Sequence, residues 1–273
     1  MLVMIRGGGD LGSGVAVRLH RSGFRLVIAE IPNPLAVRRL VSFSEAVYDG
    51  VAAVEKINAR LIDAARDDLL VEVDRMFGEG VIPVLIDPDL TTSPRLSPTV
   101  VVDCRMRKVS PGPMPPGVPL VIGLGPGFIP GENCHAAVET NRGHNLGRAY
   151  WDRQPQDDTG QPDPVEGRSW ERVLRAPSDG KFEAHREIGD FIREREVVAM
   201  VGGQPILAKF DGVLRGLLRS GLEVQAGAKV GDLDPRGVPE YCWTVSDKAR
   251  AVGGGVLEAI LTWRASSRGV LWT

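Results

Sequence analysis

The sequence predicts an α/β protein: a Rossmann-like N-terminal domain over residues 1–150, a connector over 151–169, a small β module over 170–240 and a C-terminal helical segment over 241–273. Three observations carry that expectation. Strand, glycine loop, helix and strand follow one another within residues 2–31. Short apolar runs rich in β-branched residues recur as far as "PLVIGLG". Beyond a polar connector, the chain repeats itself at a spacing of thirty-two residues.

"LVMIRG" is a short buried strand, and "VAVRLHRSG" has a helical apolar face that stops at Gly23. Between them, Gly7, Gly9 and Gly12 fit G-x-G-x-x-G, with Gly8, Asp10 and Leu11 completing the loop. Bare N–H groups at a helix start suit a phosphate. Glu30 closes the next strand, "RLVIAEI", about 20 residues on, where dinucleotide folds place an acid against a ribose hydroxyl. A vacant or repurposed crevice has the same pattern, and Asp10 inside the loop would repel a pyrophosphate unless it orients a metal or a hydroxyl.

"VAAVEKINARLI" offers a strand, and "DDLLVEVDRMFGEG" an amphipathic helix with a glycine stop. "VIPVLID", "TVVVDCRM" and "PLVIGLG" are further strands, while helices thin out after Gly80. The last strand runs into "VIGLGPGFIPGENCHAAVETNRGH", in which Gly123, Gly125 and Gly127 could form a backbone nest for an anion shared with the first loop. Glu139, Arg142 and His144 then stand ready as contacts to that ligand, or as an ion-paired turn. His135 and Glu139 are neighbours on either a strand or a helix, but no third ligand has metal-like spacing, so no metal centre is expected.

"DRQPQDDTGQPDPVEG" reads as the exposed connector. In the repeat, Ala176 matches Ala208, Asp179 matches Asp211, Gly180 matches Gly212 and Gly189 matches Gly221. Two copies of strand–turn–strand suggest a pseudo-twofold β module. It resembles the biotinyl/lipoyl barrel-sandwich fold, which is modified on a lysine between its halves. Here that hairpin, "VAMVGGQPILA", has no lysine, and Lys209 lies in the following strand. Neither biotin nor lipoate is expected, and a docking or lid role is. In the tail, Ser246 is an N-cap candidate, and Gly253, Gly254 and Gly255 weaken the helix in favour of close approach by a backbone or ligand.

Composition narrows the class. Net charge is −2 with no basic block, so nucleic acid is not an expected partner. No apolar stretch nears the ~20 residues of a membrane span. Three scattered cysteines, Cys104, Cys134 and Cys242, offer neither a disulfide framework nor CxxC spacing, which fits a cytoplasmic setting. Cys104 and Cys134 lie near the expected crevice, either as packing residues or as thiols able to carry sulfur or selenium.

"IRGGGDLGSGVAVRLHRSGF", "EIPNPLAVRR", "GLGPGFIPGENCHAAVETNRGHNLGR", "LRAPSDGKF" and "SDKARAVGGGVLEAIL" together resemble the YqeB family of selenium-dependent molybdenum hydroxylase system proteins, and more distantly XdhC-type accessory proteins. That resemblance implies an accessory protein for maturing a molybdenum hydroxylase, with the client enzyme as partner. It would bind molybdopterin cofactor or a nucleotide at the glycine loops. It transfers no catalytic residue. Two other readings stay open: an NAD(P)-dependent oxidoreductase, which has the glycines and Glu30 but no evident hydride-transfer acid or base, and a non-catalytic scaffold with a vacant nucleotide fold.

Overall fold

The computed structural model describes residues 1–162 and 164–267. The chain divides into two units. Residues 1–34, 43–158 and 245–267 form the first; residues 35–42 and 159–244 form the second. The expected C-terminal segment is therefore divided between the two, and its residues 268–273 lie outside the described residues.

The first unit contains β1 (Leu2–Arg6), α1 (Asp10–Arg21), β2 (Arg25–Glu30), α2 (Ala46–Asp49), β3 (Val51–Val54), β4 (Ile57–Ile62) and α3 (Leu69–Gly78). It continues through β5 (Ile82–Ile86), α4 (Ser93–Leu96), β6 (Val100–Asp103), β7 (Leu120–Leu124), β8 (Ala136–Val138) and β9 (Ala149–Tyr150), and ends on α5 (Asp247–Ser266). One sheet takes all nine strands in the order β3-β4-β5-β2-β1-β6-β7-β8-β9. β4 through β8 run parallel, while the edge strands β3 and β9 pair antiparallel to their neighbours.

Strands buried on both faces read as continuous apolar runs, which is why "VVVD" and "LVIGL" show no alternation. One face carries Met4, Val27, Leu85, Val101 and Val121 against Leu69, Val73 and Met76 of α3. The residues next in each strand, Val3, Ile28, Val84, Val102 and Ile122, are equally buried; by the strand period of two they face the side of α1 and α5. Those two helices cross at small residues: a Cβ on Gly253 would sit 3.0 Å from the Gly14 carbonyl oxygen. Ser246 caps α5 by accepting the Ala249 N–H at 3.1 Å.

The glycine triplet of α5 makes a two-sided prediction. A Cβ on Gly255 would lie 1.9 Å from the carbonyl oxygen of Gly147, whereas one on Gly254 would meet nothing within 4 Å. Gly255→Ala should cost about 1–3 kcal/mol through overpacking. Gly254→Ala should add roughly 0.8–1 kcal/mol through helix propensity. Denaturant midpoints of the two variants should move in opposite directions; movement in the same direction would refute this packing.

The second unit holds β10 (Val173–Arg175), β11 (Gly180–Ala184), β12 (Phe191–Ile192), β13 (Val197–Val201), β14 (Gln204–Leu207), β15 (Gly212–Leu217), β16 (Glu223–Val224) and β17 (Lys229–Asp234). The starts of β11 and β15, of β12 and β16, and of β13 and β17 are each thirty-two positions apart. The sheets obey the same exchange: β10-β17-β15-β12 becomes β14-β13-β11-β16 when each strand is replaced by its repeat. Phe182, Val198, Ile206, Leu214, Leu217 and Val230 belong to one core.

The expected fold class needs correction. The first unit is a mixed nine-stranded sheet with few helices, not a Rossmann-like domain: no helix joins β6 to β7 or β7 to β8, and α5 returns from the far end of the chain. The second is not a barrel-sandwich module of residues 170–240 followed by a separate helix. It recruits residues 35–42, where the Leu217 N–H donates to the Val37 carbonyl at 2.8 Å and Arg39 Nε donates to the Leu217 carbonyl at 2.8 Å.

Candidate functional site

Strand order reverses between β1 and β6, so an open parallel sheet would offer its crevice just beyond Arg6 and Asp103. The first glycine loop does lie at that carboxyl edge. The chain's own groups surround it. A Cβ on Gly7 would meet Arg105 and Cys104 at 3.6 Å, and one on Gly12 would stand 2.0 Å from the Gly7 carbonyl oxygen. Arg105 forks onto Asp103 at 2.9 and 2.6 Å, and Arg6 approaches the same carboxylate at 3.7 Å. On the other side the Ser44 N–H donates to the Gly8 carbonyl at 3.0 Å, and the Phe43 N–H donates to Ser13 Oγ at 2.8 Å.

Glu30 faces this loop rather than open solvent. Its Oε1 accepts the Gly8 N–H at 2.5 Å and its Oε2 the Ile31 N–H at 2.8 Å. Burial pushes its carboxyl above the ordinary range, against the pull of the two backbone donors. Gly9, Asp10 and Leu11 are partly exposed at the start of α1, and Gly9 alone of the loop's four glycines has nothing near its absent Cβ.

The second glycine stretch is covered too. The Phe128 ring lies over Gly123, and the Gly127 N–H donates to the Arg107 carbonyl at 2.9 Å. Gly125, at φ +96°, sits beside Thr140 and Met106. Burial drives the Cys104 thiol well above its usual range and the Cys134 thiol up to about 12. Both cysteines are buried, as packing residues are.

Glu139, Arg142 and His144 part company. Glu139 is fully buried, and its carboxylate accepts the N–H groups of Thr140, Asn141 and Gln156 at 2.7–2.8 Å. Arg142 forks onto Asp247 at 2.6 and 2.9 Å. His135 Nδ1 accepts the Val121 N–H at 2.9 Å, which turns that ring away from a shared ligand with Glu139. His144 opens onto a different feature, a cleft of about 710 Å³. Its walls are residues 144–153 and Glu258 of α5.

The cleft owes its form to the loop that Glu139 organises. The Gly147 N–H donates to the Glu139 carbonyl and the Glu139 N–H to the Arg148 carbonyl, both at 3.0 Å. Trp151 is 38% exposed, and Arg153 lies over the Tyr150 ring at 5.6 Å. Arg153 also pairs with Asp152 at 3.4 Å. That leaves Arg148 and Glu258, of opposite sign, together with His144. Sequence reasoning missed Arg148, Trp151 and Glu258. The first two follow the loop that attracted attention, but Glu258 is more than a hundred positions away in sequence.

No family model matches the chain. It is 43% identical over 260 residues to "Uncharacterized protein YqeB" of Escherichia coli (strain K12), across 95% of this chain and 47% of that protein. The chain is thus a relative of YqeB and spans about half the length of the curated relative it matches. Three solved structures show faint likeness. An aspartoacylase family protein from Mesorhizobium loti has 11% identity and a TM-score of 0.26, covering 85% of this chain and 83% of its own. A succinylglutamate desuccinylase/aspartoacylase from Rhodobacter sphaeroides has 12% and 0.27, covering 85% of each chain. The ectoine utilization protein EutE (DoeB) from Ruegeria pomeroyi has 11% and 0.24, again covering 85% of each chain.

These findings correct the expected role in maturing a molybdenum hydroxylase, with its XdhC-type kinship and its cofactor at the glycine loops. The curated relative is named as uncharacterized, and the three solved structures above are of aspartoacylase, desuccinylase and ectoine-utilization proteins. At such TM-scores those structures lend this chain no activity of their own. Among the described residues, no helix is long and apolar enough to cross a membrane.

Proposed function

We propose that this relative of YqeB binds a small zwitterionic molecule with a flat or apolar portion in the cleft of residues 144–153. The observation that carries the reading is the content of the cleft. About 710 Å³ falls within the roughly 300–1,000 Å³ of small-molecule sites. Trp151 offers an exposed indole. Because Asp152 already pairs with Arg153, the charges left for a ligand are Arg148 and Glu258. A guanidinium recognises a carboxylate or phosphate through paired N–H donors. A carboxylate such as Glu258 recognises an ammonium. A molecule with both groups satisfies both walls, whereas one with a single charge satisfies one.

Tryptophan fluorescence tests this with three probes that share a benzyl group: phenylalanine, phenylacetate and phenethylamine. Phenylalanine should quench Trp151 saturably, and each singly charged probe should need about tenfold more ligand, a difference of about 1.4 kcal/mol. Trp151→Phe should remove the signal. Arg148→Gln should erase the advantage of phenylalanine over phenethylamine, and Glu258→Gln its advantage over phenylacetate. Equal response to all three probes, or none, would refute the reading.

A further inference from the structure

We propose a second site, independent of the first: a groove of about 390 Å³ beside α1, the β3–β4 turn and the start of α5 that takes a phosphate group. Its apolar floor is Gly14, Val17 and Val245, and three arginines, Arg18, Arg21 and Arg250, surround it with one acid, Glu55. Glu55 is already committed. Its Oε2 pairs with Arg21 at 2.8 Å and its Oε1 accepts the Val245 N–H at 2.8 Å. Arg18 reaches the carbonyl of Arg250 at 3.3 Å, and neither of these two arginines has an acidic partner among the described residues. Two positive charges therefore converge on one groove without a counter-charge of the protein's own.

Helix electrostatics explains only part of this. Arg18 and Arg21 lie in the last turns of α1, where cations complement the helix dipole. Arg250 lies in the first turn of α5, where the dipole disfavours a cation and favours an anion. Its position is understandable if it meets an anion that the helix start also attracts. Glu55, with Lys56, forms the two-residue turn between β3 and β4, φ +46° and +70°, the left-handed pair that a tight hairpin requires. Several guanidinium forks around one point match the oxygens of a phosphate better than the two of a carboxylate.

The experiment is calorimetric titration at low ionic strength with inorganic phosphate, glycerol 3-phosphate and acetate. Phosphate should bind at one site per chain, with acetate at least about tenfold weaker. Binding of glycerol 3-phosphate as tightly as phosphate identifies an esterified ligand; preference for phosphate identifies the free ion. Arg18→Gln and Arg250→Gln should each weaken phosphate by about tenfold. Both side chains belong to exposed residues, so melting curves should match the parent. Arg60→Gln, which removes an exposed arginine paired with Glu79, should leave binding unchanged. Absence of saturable phosphate binding, or an Arg250→Gln variant that titrates like the parent, overturns the site.

Discussion

Glu139→Ala is expected to lower stability by about 3–5 kcal/mol, because it leaves three backbone donors without their charged acceptor. Three backbone N–H groups converge on this carboxylate, Thr140 and Asn141 on Oε1 and Gln156 on Oε2. Its residue is 0% exposed, so water cannot replace it without rearrangement of the loop. Each orphaned donor costs about 1–3 kcal/mol, which makes the estimate conservative unless the loop opens. Glu139→Gln keeps one carbonyl acceptor but turns an amide N–H₂ toward a donor, so it should recover only part. Urea unfolding gives the cost, and hydrogen exchange gives its origin: the amides of Thr140, Asn141 and Gln156 should lose protection first. A loss within about 0.5 kcal/mol, typical of a surface change, would refute the assignment. The contrast is Arg142→Ala. Arg142 and Asp247 form a bidentate but exposed pair, worth about 0–1 kcal/mol.

That contrast shows what a sequence can and cannot convey here. "ETNRGH" places an acid, a cation and a histidine within a few residues, and pattern alone weighs them alike. Burial separates them: Glu139 serves the loop's backbone, Arg142 the first turn of α5, and His144 the cleft. Glu30 makes the same point. Its position at the end of the second strand was legible, because strand period and glycine spacing fix where the chain turns. Its partner was not, since an N–H from Gly8 and a ligand hydroxyl ask for the same carboxylate.

The internal duplication was legible for a local reason. Turns keep small or acidic residues at fixed offsets, as with Asp179 and Asp211 or Gly180 and Gly212, and the offset survives in the strand starts. The placement of residues 35–42 had no such signal. It depends on Val37 and Arg39 meeting the backbone of Leu217, a long-range pairing without periodicity. The three glycines of α5 announced a close approach but not its object. That object proved to be the backbone of Gly14 for Gly253 and of Gly147 for Gly255, while Gly254 meets nothing.

Asp234→Asn should cost the second unit about 3 kcal/mol or more at neutral pH, because it removes the acid from a buried charge network. Asp234 is 0% exposed and accepts Arg236 Nε at 2.9 Å, Arg236 Nη2 at 2.5 Å and the Arg236 N–H at 3.1 Å. Arg215 stands 3.7 Å away, between Asp234 and Asp232, and Arg172 holds Asp232 at 3.2 Å. Replacement with asparagine keeps the shape but takes the Asp234 charge away from Arg215, whose side chain is only 11% exposed. Arg236, 31% exposed, can turn toward water, which is why the lower end of the usual 3–5 kcal/mol range applies. Acid titration separates this network from a packing effect. Burial alone would raise the Asp234 carboxyl, but Arg236 and Arg215 outweigh it and hold it below its ordinary value. A carboxyl depressed in the folded state stabilises fully above its unfolded pKa, about 3.9. That stabilisation is lost as pH falls through the lower folded value. The gap in urea midpoint between parent and Asp234→Asn should therefore be constant from pH 7 to about 5 and shrink below about 4. A gap that stays the same down to pH 3 would mean that asparagine disturbs packing, and that the charge of Asp234 contributes little.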